Sequence, residues 1–576
     1  MSKDTDRTRR LILISFWAVI LLALPLWWKT TEIYRAQLPF TEIEQWSGWE
    51  VSRLEFPTLF TLHIASKDQE AFSFKDLSSS LEEYLLTSFN LSEANQTIVK
   101  KIVQFPVKIE SIPWQNWEEN ESGNRMVWVF MGDIDLINLH LDGLTSNGHY
   151  DIYILPRSDS NVLHVRNNRQ AILQIATNKW NRDVIEIILA HLIPSFFAEE
   201  QKTIKQFVFE SSFEAKADDP SSMRTLKYSP LYQITFSLMN GDPSDLLVGW
   251  EIEEAVSVYL KSFLDEISVV SNFTIDSQVQ HYAALTFEPD YKDLSGENNI
   301  DDVANFSRPY YYLTPASLPH FINSAEWNLA SAVSSYPTIN FILYVPSKKQ
   351  SPLYIHDSKG FITENNAFLI PRWGGIVISN PDTSNETYKF TVEELKPVME
   401  IFVSQLRGLL GVQEFKSALS PAQLSEYSIE INYASPPHTA ITSWEFDNLV
   451  RRRIAENIVA AVSTLKSLSQ LVSEIPNMVV LDHIQTEVLN ALESLKQSCT
   501  SLREMHYDLA LDYAKQAIVR SESAFFDPTM VSMLYFPDEH KYAIYMPLFV
   551  PISVPLLVAV LREVRELRTR KKVAMQ

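Results

Sequence analysis

Two uncharged apolar stretches, one near each end, most constrain what this chain can fold into. Leu11–Trp28 and Tyr542–Leu561 run for eighteen and twenty residues without a charged side chain. A helix rises about 1.5 Å per residue, so about 20 apolar residues cross the roughly 30 Å core of a bilayer. The sequence therefore predicts two transmembrane helices with one large block of chain between them.

The charges beside these stretches predict an orientation. Residues 1–10 carry a net charge of +2 and residues 562–576 carry +4, and Lys and Arg close to a span stay on the cytoplasmic side. We therefore expect both tails to be cytoplasmic and the block between them to be lumenal. Because the whole chain carries −22, that block carries −28, which favours neither nucleic acid nor anionic lipid headgroups as partners.

The first apolar stretch has a second possible interpretation, a cleaved signal peptide. It is longer than a typical apolar signal core, and the small-residue cleavage pattern is missing. Trp27 and Trp28, followed by Lys29, favour an interfacial anchor instead. The expected organisation is a cytoplasmic tail (1–10), a transmembrane helix (11–28), a lumenal mixed α/β domain (29–390), a mainly helical lumenal part packed on that domain (391–541), a second transmembrane helix (542–561) and a basic cytoplasmic tail (562–576).

Glycosylation triplets and cysteine usage bear on the compartment. Six N-x-S/T triplets lie in the central block and none in the tails, which agrees with a lumenal domain: Asn90, Asn95, Asn120, Asn272, Asn305 and Asn385. The one cysteine, Cys499, excludes an internal disulfide. Its amphipathic helical surroundings predict a structural thiol, and a bridge to another chain is the main alternative.

The sequence pattern between residues 40 and 390 predicts a mixed sheet. Short β-branched and aromatic runs bounded by turn formers are typical of strands, and they occur at Val127–Met131, Tyr150–Leu155, Tyr232–Leu238, His281–Phe287 and Ile339–Val345. Helices are predicted at Asp76–Asn90, Arg182–Phe197 and Trp250–Leu264. The expected fold class is α/β, or mixed α+β, with the strand order open.

After residue 390 the pattern becomes mainly helical. Thr391 with Glu394, and Thr442 with Glu445, form capping boxes that predict helix starts, and Pro397 should kink or shift the first of these helices. One further strand is predicted at Tyr427–Tyr433. Apolar residues then recur every three or four positions, which predicts a helical hairpin interrupted at Pro476 and a third helix packed on it: Ile454–Val472, Leu481–Leu502 and Met505–Glu522.

Catalytic motifs are not found. The sequence contains no H-E-x-x-H, G-x-S-x-G, Walker or G-x-G-x-x-G pattern, and its twelve histidines, among them His63, His140 and His149, are scattered singly. Asp133 and Asp135 match the D-x-D pattern with which glycosyltransferases hold a metal-bound sugar nucleotide, as a weak signal in an acidic chain; Asp301 and Asp302 are another acidic pair. We expect no catalytic residue, cofactor or metal.

Two features suggest contacts with other chains. Trp373, Gly374 and Gly375 form a loop in a glycine-poor chain, which is either a docking loop or a tight turn entering a strand. Proline recurs every four residues in the second apolar stretch, at Pro547, Pro551 and Pro555. Lipid offers no replacement for the hydrogen bonds that proline removes, so this pattern favours a helix packed in a larger membrane assembly over a kinked span on its own.

Four long strings resemble one known family, PIG-S, the S subunit of the GPI transamidase. They are Trp27–Pro39, Leu318–Pro346, Phe368–Pro381 and Ala524–Pro555. The resemblance implies a non-catalytic subunit of an endoplasmic reticulum membrane complex that replaces a C-terminal signal with a glycosylphosphatidylinositol. The implied partners are the K, T and U subunits and a metallopeptidase-like subunit, with the cysteine nucleophile in the K subunit rather than at Cys499. The lumenal domain would then act as a scaffold that positions other subunits and helps to present precursor protein.

Two other classes of function stay open on the residues alone. A free-standing lumenal enzyme, such as a glycosyltransferase using Asp133 and Asp135, predicts metal-dependent activity. A membrane-anchored receptor or chaperone predicts transient client binding. Neither class accounts for the four family-like strings.

Overall fold

The computed structural model describes residues 3–31, 34–64, 100–113, 146–157, 160–212, 225–226, 228–292, 309–321, 336–381, 385–412, 429–433, 441–475, 478–532 and 538–573. The chain divides into two compact units. One consists of residues 1–51, 460–494 and 516–576, and the other, larger unit consists of residues 52–459 and 495–515.

Strands and helices alternate through most of the described chain. The strands are β1 Leu54–Glu55, β2 Thr58–Ile64, β3 Val103–Gln104, β4 Val107–Pro113, β5 His149–Arg157, β6 Asn161–Val165, β7 Gln170–Ala176, β8 Leu231–Asn240, β9 Leu247–Trp250, β10 Asn272–His281, β11 Asp290–Lys292, β12 Tyr310–Leu313, β13 Thr338–Val345, β14 Leu353–Ile355, β15 Ala367–Ile370, β16 Gly374–Ile378, β17 Thr387–Phe390 and β18 Ile429–Tyr433. The helices are α1 Lys3–Thr31, α2 Phe40–Ser47, α3 Arg182–Ser212, α4 Ile252–Tyr259, α5 Lys261–Ile267, α6 Leu318–Phe321, α7 Val392–Leu410, α8 Ser443–Glu474, α9 Asp482–Arg503, α10 Tyr507–Phe525, α11 Pro528–Ser532 and α12 Asp538–Val573.

A six-stranded sheet forms one half of the larger unit. Its order is β18-β6-β7-β5-β2-β4, and its neighbours are parallel except for β6 and β7. Every residue of β7 is buried, as expected of a central strand in a mainly parallel sheet. Helix α3 covers one face, where Phe197 meets the rings of Phe60 and Tyr150 at centroid distances of 6.1 and 5.3 Å.

A five-stranded sheet forms the other half of this unit, in the order β10-β8-β13-β16-β15. The first four strands are parallel, and β15 is antiparallel to β16. On one face, Phe402 of α7 packs on Phe236 and Phe341, with ring centroids 5.8 and 5.0 Å away. On the other face, Ile342 and Tyr344 share a hydrophobic core with the three-stranded sheet β11-β12-β14. Two short parallel pairs, β1 with β3 and β9 with β17, complete the strands.

Most strand predictions on described residues are confirmed. The runs at 150–155, 232–238 and 339–345 lie within β5, β8 and β13, and β18 occupies most of the predicted run at 427–433. The predicted strand His281–Phe287 is wrong, because β10 ends at His281. Ala283, Leu285 and Phe287 lie in a loop and pack against a hydrophobic core. Their apolar character therefore reflects burial and not a strand conformation. The predictions at Asp76–Asn90 and Val127–Met131 lie outside the described residues.

The helix predictions are confirmed with changes at three places. The single helix expected over 250–264 is two, α4 and α5, and the helix expected over 182–197 continues to Ser212. Both capping boxes form, with the amides of Thr391 and Thr442 each donating 2.9 Å to the glutamate three residues on. Helix α7 begins at Val392, so Pro397 lies inside it and does not shift its start. The structure confirms that the apolar stripes of α8 and α9 are buried.

The smaller unit contains α1 and α12, which run side by side. Leu13, Trp17 and Leu21 of α1 face Leu557 and Val560 of α12 across an apolar groove of about 680 Å³. When the described helices are assessed for length and apolarity together, none qualifies as able to cross a membrane. The two spans expected from the sequence therefore stay predictions.

Candidate functional site

A cluster of charged side chains is buried inside the larger unit, around the first half of α8. Arg451, Arg452 and Arg453 follow one another there, and all three are buried. Consecutive helical residues point about 100° apart, so the three side chains leave the helix in three directions. Arg451 pairs with Glu200, and Arg452 and Arg453 both pair with Glu456. We call these five residues, together with Asp447 one turn earlier on α8 and its partner Arg169, the ionic core.

Arg451 reaches back to α3. Its Nε lies 2.9 Å from Oε1 of Glu200, and the two side chains are 1% and 0% exposed. The guanidinium carbon lies 5.0 and 5.4 Å from the ring centroids of Phe197 and Phe56, so aromatic faces surround the charge. This ion pair is therefore sealed from solvent by apolar side chains.

Burial changes the acidity of this pair. Burial raises the pKa of Glu200 to about 7, because the attraction of Arg451 offsets only part of the lost hydration. Burial is the largest effect on Arg451 and opposes its charge, but the attractions of Glu200, Tyr507, Tyr150 and Asp447 together outweigh it, so the pKa of Arg451 lies above its ordinary value. Glu200 is therefore poised to change protonation near neutral pH while Arg451 stays charged.

Asp447 joins α8 to the six-stranded sheet. Its two carboxylate oxygens accept from Nε and Nη2 of Arg169, both at 2.6 Å. Oδ2 of Asp447 also accepts from the hydroxyl of Tyr150, at 2.9 Å. The Tyr150 ring stacks on Trp444 at 4.4 Å, and Trp444 stacks on Phe196 of α3 at 4.5 Å. One turn of α8 thus contacts both β5 and α3.

Arg452 and Arg453 join α8 to the end of α7. Both arginines donate to Glu456, at 2.8 and 2.7 Å, and Arg453 also donates 2.9 Å to the carbonyl of Leu410. The last carbonyls of a helix lack partners within the helix, and a cation there also suits the helix dipole. Burial raises the pKa of Glu456, but Arg453 and Arg452 outweigh that effect and hold it below its ordinary value.

The ionic core is suited to fixing elements in place rather than to reacting with a ligand. Its charged groups meet one another at hydrogen-bond distance, and Arg451 and Glu200 are almost fully enclosed. Within the described ranges, no group of three or more His, Cys, Asp or Glu side chains is arranged to hold a metal ion. Breaking a buried ion pair is strongly destabilising, so this network should set how α3, α7, α8 and the six-stranded sheet fit together.

The glycine pair singled out in the sequence begins strand β16. Gly374 and Gly375 pair with Asn340 and Phe341 of β13. A Cβ on Gly374 would lie 1.8 Å from the Asn340 carbonyl oxygen, and one on Gly375 would lie 1.9 Å from the side-chain oxygen of Gln405. Trp373 is half-buried and packs against the core of the five-stranded sheet. The Asn340 backbone therefore leaves room only for glycine at position 374, whereas the group that faces Gly375 is the flexible end of the Gln405 side chain.

Cys499 is buried, and the side chain of His63 has a polar partner and a stacking partner. Cys499 is 2% exposed, and burial raises the pKa of its thiol to about 11. His63 of β2 lies 3.0 Å from Asp151 through Nε2 and stacks on the ring of Tyr153 at 4.4 Å. These positions agree with a structural thiol and with a satisfied histidine.

The other predicted site residues are spread over the chain. Asn272, at the start of β10, and Asn385 are exposed. Pro547, Pro551 and Pro555 are exposed on α12. The remaining predicted positions lie outside the described residues: Asn90, Asn95, Asn120, Asn305, His140, Asp133, Asp135, Asp301 and Asp302.

Sequence reasoning missed the ionic core, although a signal for it exists. Three consecutive arginines between Val450 and Ile454 cover about 200° of a helix whose apolar stripe faces inward. At least one of them had to point away from solvent and find a carboxylate. Glu456 has a local signature, because it lies three and four residues after Arg453 and Arg452 on the same helix. Glu200 has none, because it lies on α3, far from Arg451 in the sequence.

The fold and this site define a mixed α/β protein with a C-terminal helical region and an enclosed ionic core. A sequence model of one family, described as Phosphatidylinositol-glycan biosynthesis class S protein, matches residues 14–570. The chain belongs to this family, PIG-S.

Similar proteins cover nearly the whole chain. The human GPI-anchor transamidase component PIGS is 33% identical over 589 residues, which is 98% of this chain and 96% of the relative. The bovine protein of the same description is 32% identical, with the same shares covered. The Schizosaccharomyces pombe GPI transamidase component PIG-S homolog is 27% identical over 99% of this chain and 87% of its own length.

Proposed function

We propose that this chain is a non-catalytic structural subunit of the GPI transamidase, and that it supports the attachment of GPI anchors to precursor proteins. The observation that carries the proposal is the family match over residues 14–570. The names of the human and bovine relatives describe a transamidase component. We infer that its partners are the K, T and U subunits and a metallopeptidase-like subunit of that complex.

The build of the larger unit supports a scaffold role. Its buried charged side chains pair with one another in the ionic core, where Asp447 accepts hydrogen bonds from Arg169 and Tyr150. A subunit of this kind would position lumenal partners and help to present precursor protein.

We also propose that α1 and α12 insert in the endoplasmic reticulum membrane with both termini cytoplasmic. Large apolar side chains point outward along both helices; Leu22 is 78% exposed and Ile552 is 61% exposed. Such surfaces are costly in water and favourable in lipid. The basic residues in both tails favour the cytoplasmic side. The rest of the chain, including the exposed Asn272 and Asn385, would then be lumenal and open to glycosylation.

Purification of the full-length tagged chain in a mild detergent tests the assignment. We expect stoichiometric recovery of a cysteine-protease-like subunit and of multispan chains, identified by mass spectrometry. Recovery of this chain alone, monodisperse and stable, would refute the proposal. A functional test uses cells that lack the endogenous subunit and scores a GPI-anchored reporter at the cell surface. Deletion of residues 34–532, which keeps α1 and α12, should abolish rescue by the intact chain; normal rescue would refute the scaffold role.

Glycosidase digestion tests the topology independently. The intact chain should shift in mobility on removal of N-glycans, and Asn272→Gln with Asn385→Gln should reduce that shift. A mobility that no glycosidase alters would argue against a lumenal central block.

A further inference from the structure

Strand β10 is an exposed edge of the five-stranded sheet. It pairs with β8 over ten consecutive residues, Asn272–His281, and no described strand pairs with its other side. At about 3.3 Å per residue, the open edge is about 33 Å long. Ile275 and Val279 along it are 40% and 45% exposed.

The register identifies which backbone groups are open. The amide of Asn272 donates to Pro230, so the even-numbered residues of β10 direct their N–H and C=O groups toward β8. In a parallel ladder the alternate residues direct theirs the other way. The N–H and C=O groups of Phe273, Ile275, Ser277 and Val279 therefore point to the open side, spaced as a partner strand requires.

This edge lacks the features that keep edge strands from pairing. Natural edges are protected by lysine, proline, bulges or short length. The sequence of β10, NFTIDSQVQH, contains no Lys, Arg, Pro or Gly, and its register with β8 is unbroken. Its one formal charge, Asp276, accepts a hydrogen bond from Gln233 of β8. A long edge strand without these features is typical of a strand that pairs with another segment.

Charge indicates what kind of segment fits. Residues 262–291 contain five carboxylates and no Lys or Arg, and all five carboxylates are exposed: Asp265, Glu266, Asp276, Glu288 and Asp290. A second copy of β10 would bring like charges together, which is destabilising across a strand pair. An extended segment with Lys or Arg would be complementary.

We propose that β10 is a docking edge that adds one extended, Lys- or Arg-bearing segment of a different polypeptide as a further strand of this sheet. The backbone of Phe273, Ile275, Ser277 and Val279 provides the hydrogen bonds, and the exposed carboxylates of residues 262–291 favour a basic segment. A glycan at Asn272 is compatible, because strand side chains project from the sheet faces rather than along the edge.

Amide hydrogen exchange, measured on the full-length chain purified together with its partners, tests whether this edge is paired. We expect the outward amides of Ile275, Ser277 and Val279 to exchange roughly 100-fold or more slowly than unprotected amides, as ladder amides do. Ser277→Pro removes one outward N–H, and it should raise exchange at Ile275 and Val279 by about tenfold or more, whereas Ser277→Ala keeps that N–H and should not. Continued protection of the inward amides of Thr274 and Asp276 shows that the variant strand is folded.

A photo-crosslinker in place of Val279 identifies the occupant. Attachment to a Lys- or Arg-containing segment of another polypeptide supports the proposal. Outward amides that exchange freely in the wild-type complex, or attachment to β10 of a second copy or to another part of the same chain, overturn it. The identity of the co-purified subunits tests the proposed function separately. If the purified complex contains transamidase subunits but the outward amides exchange freely, only the docking edge is refuted. If the outward amides are protected but the co-purified polypeptides are not transamidase subunits, only the transamidase assignment is refuted.

Discussion

Asp447 and Arg169, 278 residues apart in sequence, form a two-pronged ion pair in which both N···O distances are 2.6 Å. Asp447 lies on α8, and Arg169 immediately precedes β7. The Asp447 side chain is 1% exposed and that of Arg169 is 13% exposed, so the pair holds α8 against the six-stranded sheet from within.

Asp447→Asn should destabilise the larger unit strongly. The substitution leaves Arg169 without its counter-charge, and removing one partner of a buried pair costs about 3 kcal/mol or more. We expect a lower free energy of unfolding in denaturant titrations of the purified chain. Lys108→Met serves as the control, because Lys108 pairs with Glu110 at the surface, where the two side chains are 72% and 44% exposed. Equal losses in the two variants would contradict the role of the ionic core.

Glu200 should make stability depend on pH. Its pKa is about 7 in the folded chain against an ordinary value of 4.5. A raised folded pKa contributes stability that is complete below about 4.5 and is lost as the pH rises through about 7. The free energy of unfolding of the wild type, relative to that of Glu200→Gln, should therefore fall between these values and level off above them. Parallel pH profiles for the two proteins would show that Glu200 titrates normally.

Gly374→Ala should be poorly tolerated. The new Cβ would overlap the backbone of Asn340, which β13 holds in place, and such overpacking costs about 1–3 kcal/mol and occasionally more. Gly408→Ala in α7 is a matched control, since a Cβ there meets nothing within 4 Å and alanine favours a helix by about 0.5–1 kcal/mol. Thermal unfolding should rank Gly408→Ala, wild type and Gly374→Ala in descending order. A wild-type midpoint for Gly374→Ala would mean that β16 has room for a side chain.

Cys499 should be unreactive until the chain unfolds. Its pKa of about 11 leaves about one thiolate in a thousand at pH 8, and the side chain is buried. Because it is the one cysteine in the sequence, any mass increase with iodoacetamide reports on this residue. We expect modification in denaturant and none in the native chain, with Cys499→Ala as the blank. Rapid modification of the native chain, or a disulfide-linked partner, would contradict a buried structural thiol.

Local patterns predicted local structure well. Thr391 with Glu394 and Thr442 with Glu445 marked two helix starts, because a capping box involves only residues three apart. The stripes of α8 and α9 marked their buried faces. Apolar content misled at His281–Phe287, where Ala283 and Leu285 pack as loop residues while the true strand upstream is polar and exposed.

The sequence by itself determined the family, the mixed α/β class, the helix starts and the two apolar end segments, because each follows from neighbouring residues or long matching strings. Tertiary structure alone decided the order of the strands, the partners of Arg451 and Asp447, and the open edge of β10. These depend on which distant segments meet, and Glu200 acquires its raised pKa only when folding encloses it with Arg451. The glycine pair illustrates both contributions. The sequence identified Gly374 as unusual, and only the structure explains why: a Cβ there would lie 1.8 Å from the carbonyl oxygen of Asn340.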